Sequence, residues 1–263
     1  MKPDYKNWMP RGMVLSMLGG CVACLALYIL LRATKLAGTG TLNAVLCAVL
    51  LIAFIALACV TAWMALMYRA FSYNGKRQLS RQIIEGTAQY VRLPDGGKGL
   101  DVGCGSGALA IACAKRNPRA SMVGIDRWGP EYASFNQPTC ERNAKAEGVK
   151  NVRFMPGNAI KLDFPDESFD AVTSNYVYHN ISGHDKQELL LETLRVLKKG
   201  GTFAIHDIMS KNRYGDMQAF AQKLRGMGYE KVDLIDTTNG KFMSRGEALW
   251  MALSGSALLV GKK

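Results

Sequence analysis

The chain has 263 residues, with 33 Lys and Arg against 21 Asp and Glu, and a formal net charge of +12. Apolar residues make up 49% of it and charged residues 21%, which excludes a disordered chain. Seven scattered cysteines are too few for a disulfide scaffold, and no recurring period indicates a repeat protein.

Two runs without any charged residue open the chain, over residues 13–31 and 41–68. Each is long enough to cross the hydrocarbon core of a bilayer, and a short segment rich in Gly and Thr joins them. A cleaved signal peptide and a pair of buried core helices are the alternatives. The length of the first run argues against the former, and the missing polar faces argue against the latter. We predict a membrane anchor over 1–73, with transmembrane helices at about 13–31 and 42–67.

The basic residues near these runs predict their orientation. Three basic residues precede the first run: Lys2, Lys6 and Arg11. Four follow the second: Arg69, Lys76, Arg77 and Arg81. The connecting loop has only two, Arg32 and Lys35. Positive charge concentrates on the cytoplasmic side of membrane proteins, so the N-terminus and the domain over 74–263 are both expected there. Small residues four apart in both runs permit close helix contact, and with it a homodimer.

Strands and helices alternate after the anchor. Strands are predicted at 98–102, 121–125, 152–155, 169–174, 202–206, 231–236 and 257–261, and helices at 78–91, 107–116, 138–147, 185–197 and 215–227. This alternation predicts an α/β fold with a doubly wound sheet, which binds ligands at the carboxyl ends of its strands. No run of Lys and Arg interleaved with aromatic residues indicates nucleic-acid binding.

A glycine-rich turn follows the first predicted strand, in the sequence Leu-Asp-Val-Gly-Cys-Gly-Ser-Gly-Ala over 100–108. Glycines at 103, 105 and 107 allow unusual backbone angles and the close approach of a ligand. Asp101 would repel a pyrophosphate but could receive a cationic amino group. A turn without a ligand is the alternative. The second strand ends in Asp126, whose carboxylate can accept both hydroxyls of a ribose. Arg127 and Trp128 follow, and Trp128 could pack on a nucleobase or on protein.

These residues, together with segments 169–180 and 194–203, resemble the class I S-adenosylmethionine-dependent methyltransferases over about residues 76–236. The whole chain looks like a bacterial group of these enzymes with a two-span membrane anchor. The resemblance implies a Rossmann-like sheet of seven strands, the last antiparallel, preceded by a transmembrane helical hairpin. It also implies S-adenosylmethionine as the cofactor.

The resemblance assigns cofactor-binding roles to particular residues. Asp101 would lie near the methionine amino group, Asp126 would hold the ribose, and Asn175 would line the cleft toward the acceptor. Asn158 stands where the family usually has an Asp that binds the adenine amino group, which puts cofactor affinity in question. The full expected set is Asp101, Gly103, Cys104, Gly105, Ser106, Gly107, Asp126, Arg127, Trp128, Asn158, Ala159 and Asn175.

Three residues near strand ends are candidates for a catalytic base: His179, Tyr176 and His206, the last followed by Asp207. A hydrogen-bonded structural histidine is the alternative for each His. We expect no metal. The apolar segment 240–251 would cap the acceptor pocket, touch the bilayer surface or pack on the sheet as a helix. Our main hypothesis is membrane-anchored methylation of a lipophilic small molecule such as a quinol, phenol, thiol or lipid head group. Methylation of a membrane protein side chain and a non-catalytic cofactor-binding scaffold are the rivals.

Overall fold

Two long helices begin the chain. The computed structural model describes residues 2–34, 38–129 and 134–263, so Lys35 in the connecting loop lies outside it. Helix α1 spans Arg11–Thr34 and α2 spans Thr41–Phe71, and the two pack against each other. Both have the length and apolar composition of helices that cross a membrane. Many of their large apolar side chains are exposed, Ile52 at 68% for example.

The remaining elements alternate as the sequence predicts. The helices are α3 (Leu79–Ala88), α4 (Ala108–Arg116), α5 (Gln137–Ala146), α6 (Lys186–Arg195), α7 (Lys211–Tyr214), α8 (Met217–Gly226) and α9 (Arg245–Trp250). The strands are β1 (Lys98–Val102), β2 (Ser121–Asp126), β3 (Val152–Pro156), β4 (Phe169–Asn175), β5 (Leu197–Ile208), β6 (Lys231–Asp236) and β7 (Ser256–Lys262).

The strands form one seven-stranded sheet in the order β3-β2-β1-β4-β5-β7-β6. Strands β1 to β5 pair in parallel, and β7 inserts between β5 and β6 antiparallel to both. Leu100, Val172 and Phe203 from three central strands are almost fully buried in the main apolar core. Such continuous apolar strands belong to a sheet covered on both faces. The predicted fold class is therefore confirmed, including the antiparallel last strand.

Several element boundaries differ from the prediction for local reasons. The helix predicted at 215–227 is α8, which begins at Met217 because Gly215 has a φ of +71° and Asp216 caps the helix by accepting from the amides of Gln218 and Ala219. The short helix α7 before it was not predicted. The segment 240–251 contains α9, which begins at a capping box between Ser244 and Glu247. Strand β5 is longer than predicted because an irregularity in its pairing with β4 lets it begin at residue 197.

The chain divides into two compact units. One is Asn7–Ser80, and the other joins Met1–Lys6 to Arg81–Lys263. Residues 1–6, the start of the chain, thus group with the sheet. The predicted domains, 1–73 and 74–263, stay a prediction.

Candidate active site

The candidate site lies where the order of the sheet changes direction. Strand β2 lies on one side of β1 and β4 lies on the other. Doubly wound sheets bind ligands in the crevice outside the carboxyl ends of the strands at such a switch point, here β1 and β4. Every predicted cofactor and catalytic residue lies at or just after the carboxyl end of one of the strands β1 to β5.

The turn between β1 and α4 requires glycine for two reasons. Gly103, Gly105 and Gly107 have φ values of +72°, +57° and +83°, which side chains disfavour. A Cβ on Gly103 would lie 2.2 Å from Val177 Cγ2, and one on Gly107 would lie 2.8 Å from Phe154 Cζ. The turn, called the glycine loop below (residues 103–107), is therefore closely packed against Val177 and Phe154.

Hydrogen bonds from the end of β2 hold this loop. The Cys104 amide donates to the Ile125 carbonyl at 2.9 Å. The Gly105 amide donates to Asp126 Oδ2 at 2.8 Å, and the Trp128 indole Nε1 donates to the Gly105 carbonyl at 2.9 Å. The loop and the end of β2, two separate predictions from the sequence, form one structural unit.

Asp126 keeps capacity to bind a ligand. Its Oδ2 accepts from Gly105, and its Oδ1 accepts from the Trp128 amide at 2.8 Å. A carboxylate oxygen can accept two hydrogen bonds, so each retains one site for a hydroxyl. Trp128 is half-buried with its ring tied to the loop, while Arg127 is exposed.

Asp101 is the most unusual group of the site. It is 1% exposed, and its Oδ1 accepts from the Thr173 hydroxyl at 2.9 Å. Its Oδ2 is buried without a hydrogen-bond partner. Burial raises the pKa of this carboxyl to about 7, against the lowering effect of the Thr173 hydroxyl. A buried acceptor without a donor fits a cationic ligand group, so the site suits the ammonium group of S-adenosylmethionine.

Asn158 and Ala159 follow β3 at the same edge. The amide of Gly157 donates to the Asp126 carbonyl at 3.0 Å, so this turn lies beside the end of β2. Asn158 is exposed, and its Oδ1 accepts from the Ile160 amide at 2.9 Å. Its side-chain oxygen has one acceptor site left for an adenine amino group.

Tyr176 follows β4 in a strained conformation, with a φ of +55°. Its amide donates to the His206 carbonyl at 2.8 Å, which keeps the residue against β5. Its ring lies edge-on to the rings of His206 and His179, with centroids 4.7 and 5.8 Å away. Its hydroxyl pairs with Ser256 Oγ at 2.9 Å, and burial raises the pKa of that hydroxyl. The phenol is therefore a neutral wall of the crevice.

His206 is fully buried, and both of its ring nitrogens are engaged. Nε2 lies 2.9 Å from Thr237 Oγ1, which itself donates to the Ser256 carbonyl. Nδ1 lies 2.9 Å from Asn175 Oδ1, so a hydrogen bond here requires either the proton on Nδ1 or a carboxamide turned with its NH2 toward the ring. Burial lowers the pKa of His206 to about 3, so the ring is neutral and positions Asn175 at the crevice.

His179 and Asp207 form a pair of a different kind. His179 Nδ1 lies 2.5 Å from Asp207 Oδ1, and the side chain of His179 is 15% exposed while that of Asp207 is fully buried. Burial opposes ionisation of Asp207, but hydrogen bonds from His179 and the Ile208 amide hold its pKa below the ordinary value. An ionised Asp207 fixes the proton on Nδ1 and leaves the Nε2 lone pair available as a base.

The structure brings the predicted residues to one edge of the sheet, but the side chains that pair there are not the ones adjacent in the sequence. Asp207 follows His206 in the chain but binds His179, 28 residues away. Thr173, the hydroxyl partner of Asp101, went unpredicted because a threonine inside a strand has no sequence signal of such a role. Among the described residues, no three His, Cys, Asp or Glu side chains gather as metal ligands.

Comparisons with known proteins agree with this geometry. Residues 100–205 match a family model described as "Methyltransferase domain". The chain is 29% identical over 174 residues to a demethylmenaquinone methyltransferase of Geobacillus kaustophilus, covering 62% of this chain and 71% of the relative. It is 30% identical over 163 residues to the one of Geobacillus stearothermophilus, covering 58% and 67%. The crystal structure of the cyclase SpnF shares the fold, with a TM-score of 0.54 and 21% identity over 73% of this chain and 85% of that chain.

Proposed function

We propose that this chain, which belongs to the class I S-adenosylmethionine-dependent methyltransferases, methylates a lipophilic quinone-type acceptor at a membrane. Its enzyme class and its cofactor, both predicted from the sequence, are confirmed. The relatives named demethylmenaquinone methyltransferase supply the acceptor class. The observation that carries the proposal is the union of that methyltransferase domain with two helices of membrane-crossing length. A bilayer would concentrate a lipophilic acceptor where the enzyme is held.

The chemistry of α1 and α2 supports a membrane anchor. Their exposed apolar side chains would be costly in water and are the ordinary surface of a helix in lipid. The hydroxyls of Ser16, Thr34 and Thr61 each donate to the carbonyl four residues earlier, so these groups need no water. A homodimer through the small residues of these helices stays a prediction.

The connections of the hairpin support a topology in which both of its ends lie on one side of the membrane. Met1–Lys6 enters it and Arg81–Lys263 leaves it, and both belong to the same compact unit. Two spans return the chain to the side from which it started. The basic residues on both flanks favour the cytoplasmic side. The division into an anchor over 1–73 and a methyltransferase domain over 74–263 stays a prediction.

The cofactor supplies a methyl group on a sulfonium, which is already activated for transfer to a nucleophile. Asp101 would hold its ammonium group, Asp126 the ribose hydroxyls, and the glycine loop the backbone contacts between them. The other predicted cofactor residues, Cys104, Ser106, Arg127, Trp128, Asn158, Ala159 and Asn175, stay predictions.

His179 is our choice of base, with Asp207 as its positioning partner. A neutral hydroquinone that gains a methyl cation must lose a proton, and Nε2 of His179 can accept it. The electron pair left on the acceptor then forms the new bond to the methyl carbon. Asp207 stabilises the imidazolium that results. Tyr176 and His206 would shape the crevice, since burial keeps the hydroxyl of one protonated and the ring of the other neutral.

The test is transfer of isotope-labelled methyl from S-adenosylmethionine by the full chain in lipid nanodiscs that contain a prenylated hydroquinone. We expect saturable label in the solvent-extracted lipid fraction, and much slower transfer to the same ring without its prenyl tail. Label that stays with protein after extraction would indicate methylation of a membrane protein. Cofactor binding without any transfer would indicate a scaffold.

Two variants accompany this test. Asp126→Ala removes both ribose acceptors and should abolish transfer. Asp233→Ala changes a half-exposed carboxylate on β6, outside the crevice, and should leave transfer intact. Equal loss in both variants would mean that the assay reports general damage and not the site.

A further inference from the structure

The N-terminal tail docks on the domain that binds the cofactor. Tyr5 is 5% exposed, although it lies only six residues before the start of α1 at Arg11. The amide of Asp4 donates to Asn143 Oδ1 at 2.7 Å, and Asn143 Nδ2 donates to the Asp4 carbonyl at 3.0 Å. The Asn143 carboxamide thus bonds to both the backbone N–H and the backbone C=O of Asp4, as the backbone of a neighbouring strand would.

The same carboxamide reaches the glycine loop. Asn143 Nδ2 also donates to the Ser106 carbonyl at 3.0 Å, and the Ser106 hydroxyl donates to the Tyr5 carbonyl at 2.7 Å. The Tyr5 hydroxyl donates to Glu147 Oε1 at 3.2 Å, at the end of α5. Asp4, Tyr5, Asn143 and Ser106 therefore close a ring of hydrogen bonds in which all members but the exposed Asp4 are buried.

This ring holds Ser106, for which no hydrogen bond to β2 is described. Residues 103–105 bond to Ile125 and Asp126 at the end of β2. The side-chain hydroxyl and carbonyl of Ser106, in contrast, bond to Tyr5 and Asn143. Glycines flank Ser106 on both sides, and glycine loses the most conformational freedom on ordering. A contact that fixes Ser106 therefore lowers the entropy lost when a ligand orders this loop.

We propose that Asp4, Tyr5 and Asn143 are positioning residues of the cofactor site, so that affinity for S-adenosylmethionine depends on the segment leading into the first long helix. The tail holds the glycine loop in its binding conformation before the cofactor arrives. Only residues 7–10 separate it from α1, so cofactor binding and the anchor share one continuous stretch of chain. This inference rests on the cofactor and not on the identity of the acceptor.

The test measures S-adenosylhomocysteine binding by calorimetry on the full chain in detergent micelles, with the Tm of each variant measured alongside. Tyr5→Ala removes the buried ring that docks the tail, and its Kd should rise about tenfold. Tyr5→Phe keeps the ring and loses the hydroxyl that bonds to Glu147, so it should recover most of the affinity. Lys2→Ala, an exposed change in the same tail, should leave the Kd unchanged.

A second variant keeps the proposal testable if Tyr5→Ala fails to fold. Asn143→Asp preserves the shape and the acceptor for the Asp4 amide, but it places an acceptor against the carbonyls of Asp4 and Ser106. Its Kd should also rise about tenfold, with kcat at saturating cofactor within about twofold of wild type. A lower Tm with an unchanged Kd would show that the tail only stabilises the fold and would overturn the proposal.

Discussion

Replacing Asp101 by Asn should make the protein more stable and a weaker binder of its cofactor. The carboxyl is buried with Oδ2 unpartnered, and burial raises its pKa from 3.8 to about 7. Its ionised form is therefore disfavoured by the fold itself. The carboxamide of the Asp101→Asn variant would be neutral at every pH and could still accept from Thr173, but it would offer no charge to an ammonium group.

The pKa of Asp101 determines how large the stability difference between variant and wild type is, and over which pH range it appears. A rise of about three pH units corresponds to about 4 kcal/mol of unfolding free energy. Because the pKa of Asp101 is higher in the folded state than in the unfolded chain, the stabilisation from protonated Asp101 is fully present below pH 3.8. It is lost as the pH rises through 7. At pH 8 the Asp101→Asn variant should thus melt up to about 10 °C above wild type, and at pH 4 the two should nearly coincide.

Cofactor binding should depend on pH in the opposite direction to stability. A cation beside Asp101 favours the carboxylate, so binding below pH 7 releases a proton, and the wild-type Kd rises by up to about tenfold per pH unit as the pH falls. The variant should lose this dependence and bind about 10- to 100-fold more weakly at pH 8.

The assay is differential scanning fluorimetry of the full chain in detergent at pH 4 to 8, with calorimetric titration of S-adenosylmethionine at the same pH values. Titrations in buffers of different ionisation enthalpy report the released proton. Asp233→Asn serves as the control for removal of a carboxylate outside the site. An Asp101→Asn variant that melts lower than wild type at pH 8 and binds the cofactor normally would refute the reasoning.

Four further substitutions test the rest of the site. His179→Gln should lower kcat about 100-fold or more with little change in cofactor Kd. Asp207→Asn should also lower kcat, because the variant no longer fixes the ring tautomer of His179; an unchanged kcat in both would rule out the base. Gly103→Ala should abolish cofactor binding, since its Cβ meets Val177 at 2.2 Å, and normal binding would show that the loop adapts. Asp126→Ala should raise the cofactor Kd at least about tenfold in calorimetry, and an unchanged Kd would place the ribose elsewhere.

Features that depend on residues close together in the sequence were predictable. The charge-free runs, the alternation of strands and helices, and the loop with its three glycines each depend on a local pattern, and the structure contains them. The resemblance built on these patterns also predicted the enzyme class and cofactor correctly. Boundaries were less predictable, as at Gly215 and Asp216, where a positive φ and one capping carboxylate start α8 two residues later than predicted.

The sequence by itself therefore determined which chemical groups this protein holds and near which strand ends they lie. The tertiary structure alone decided which groups meet. His179 pairs with Asp207 because β4 and β5 are neighbours in the sheet, and Ser106 meets Tyr5 across 101 residues of chain. It also decided that Asp101 is buried without a partner for Oδ2 and that His206 is neutral. Desolvation and hydrogen bonding depend on what surrounds an atom in space, and residues distant in the sequence supply those surroundings.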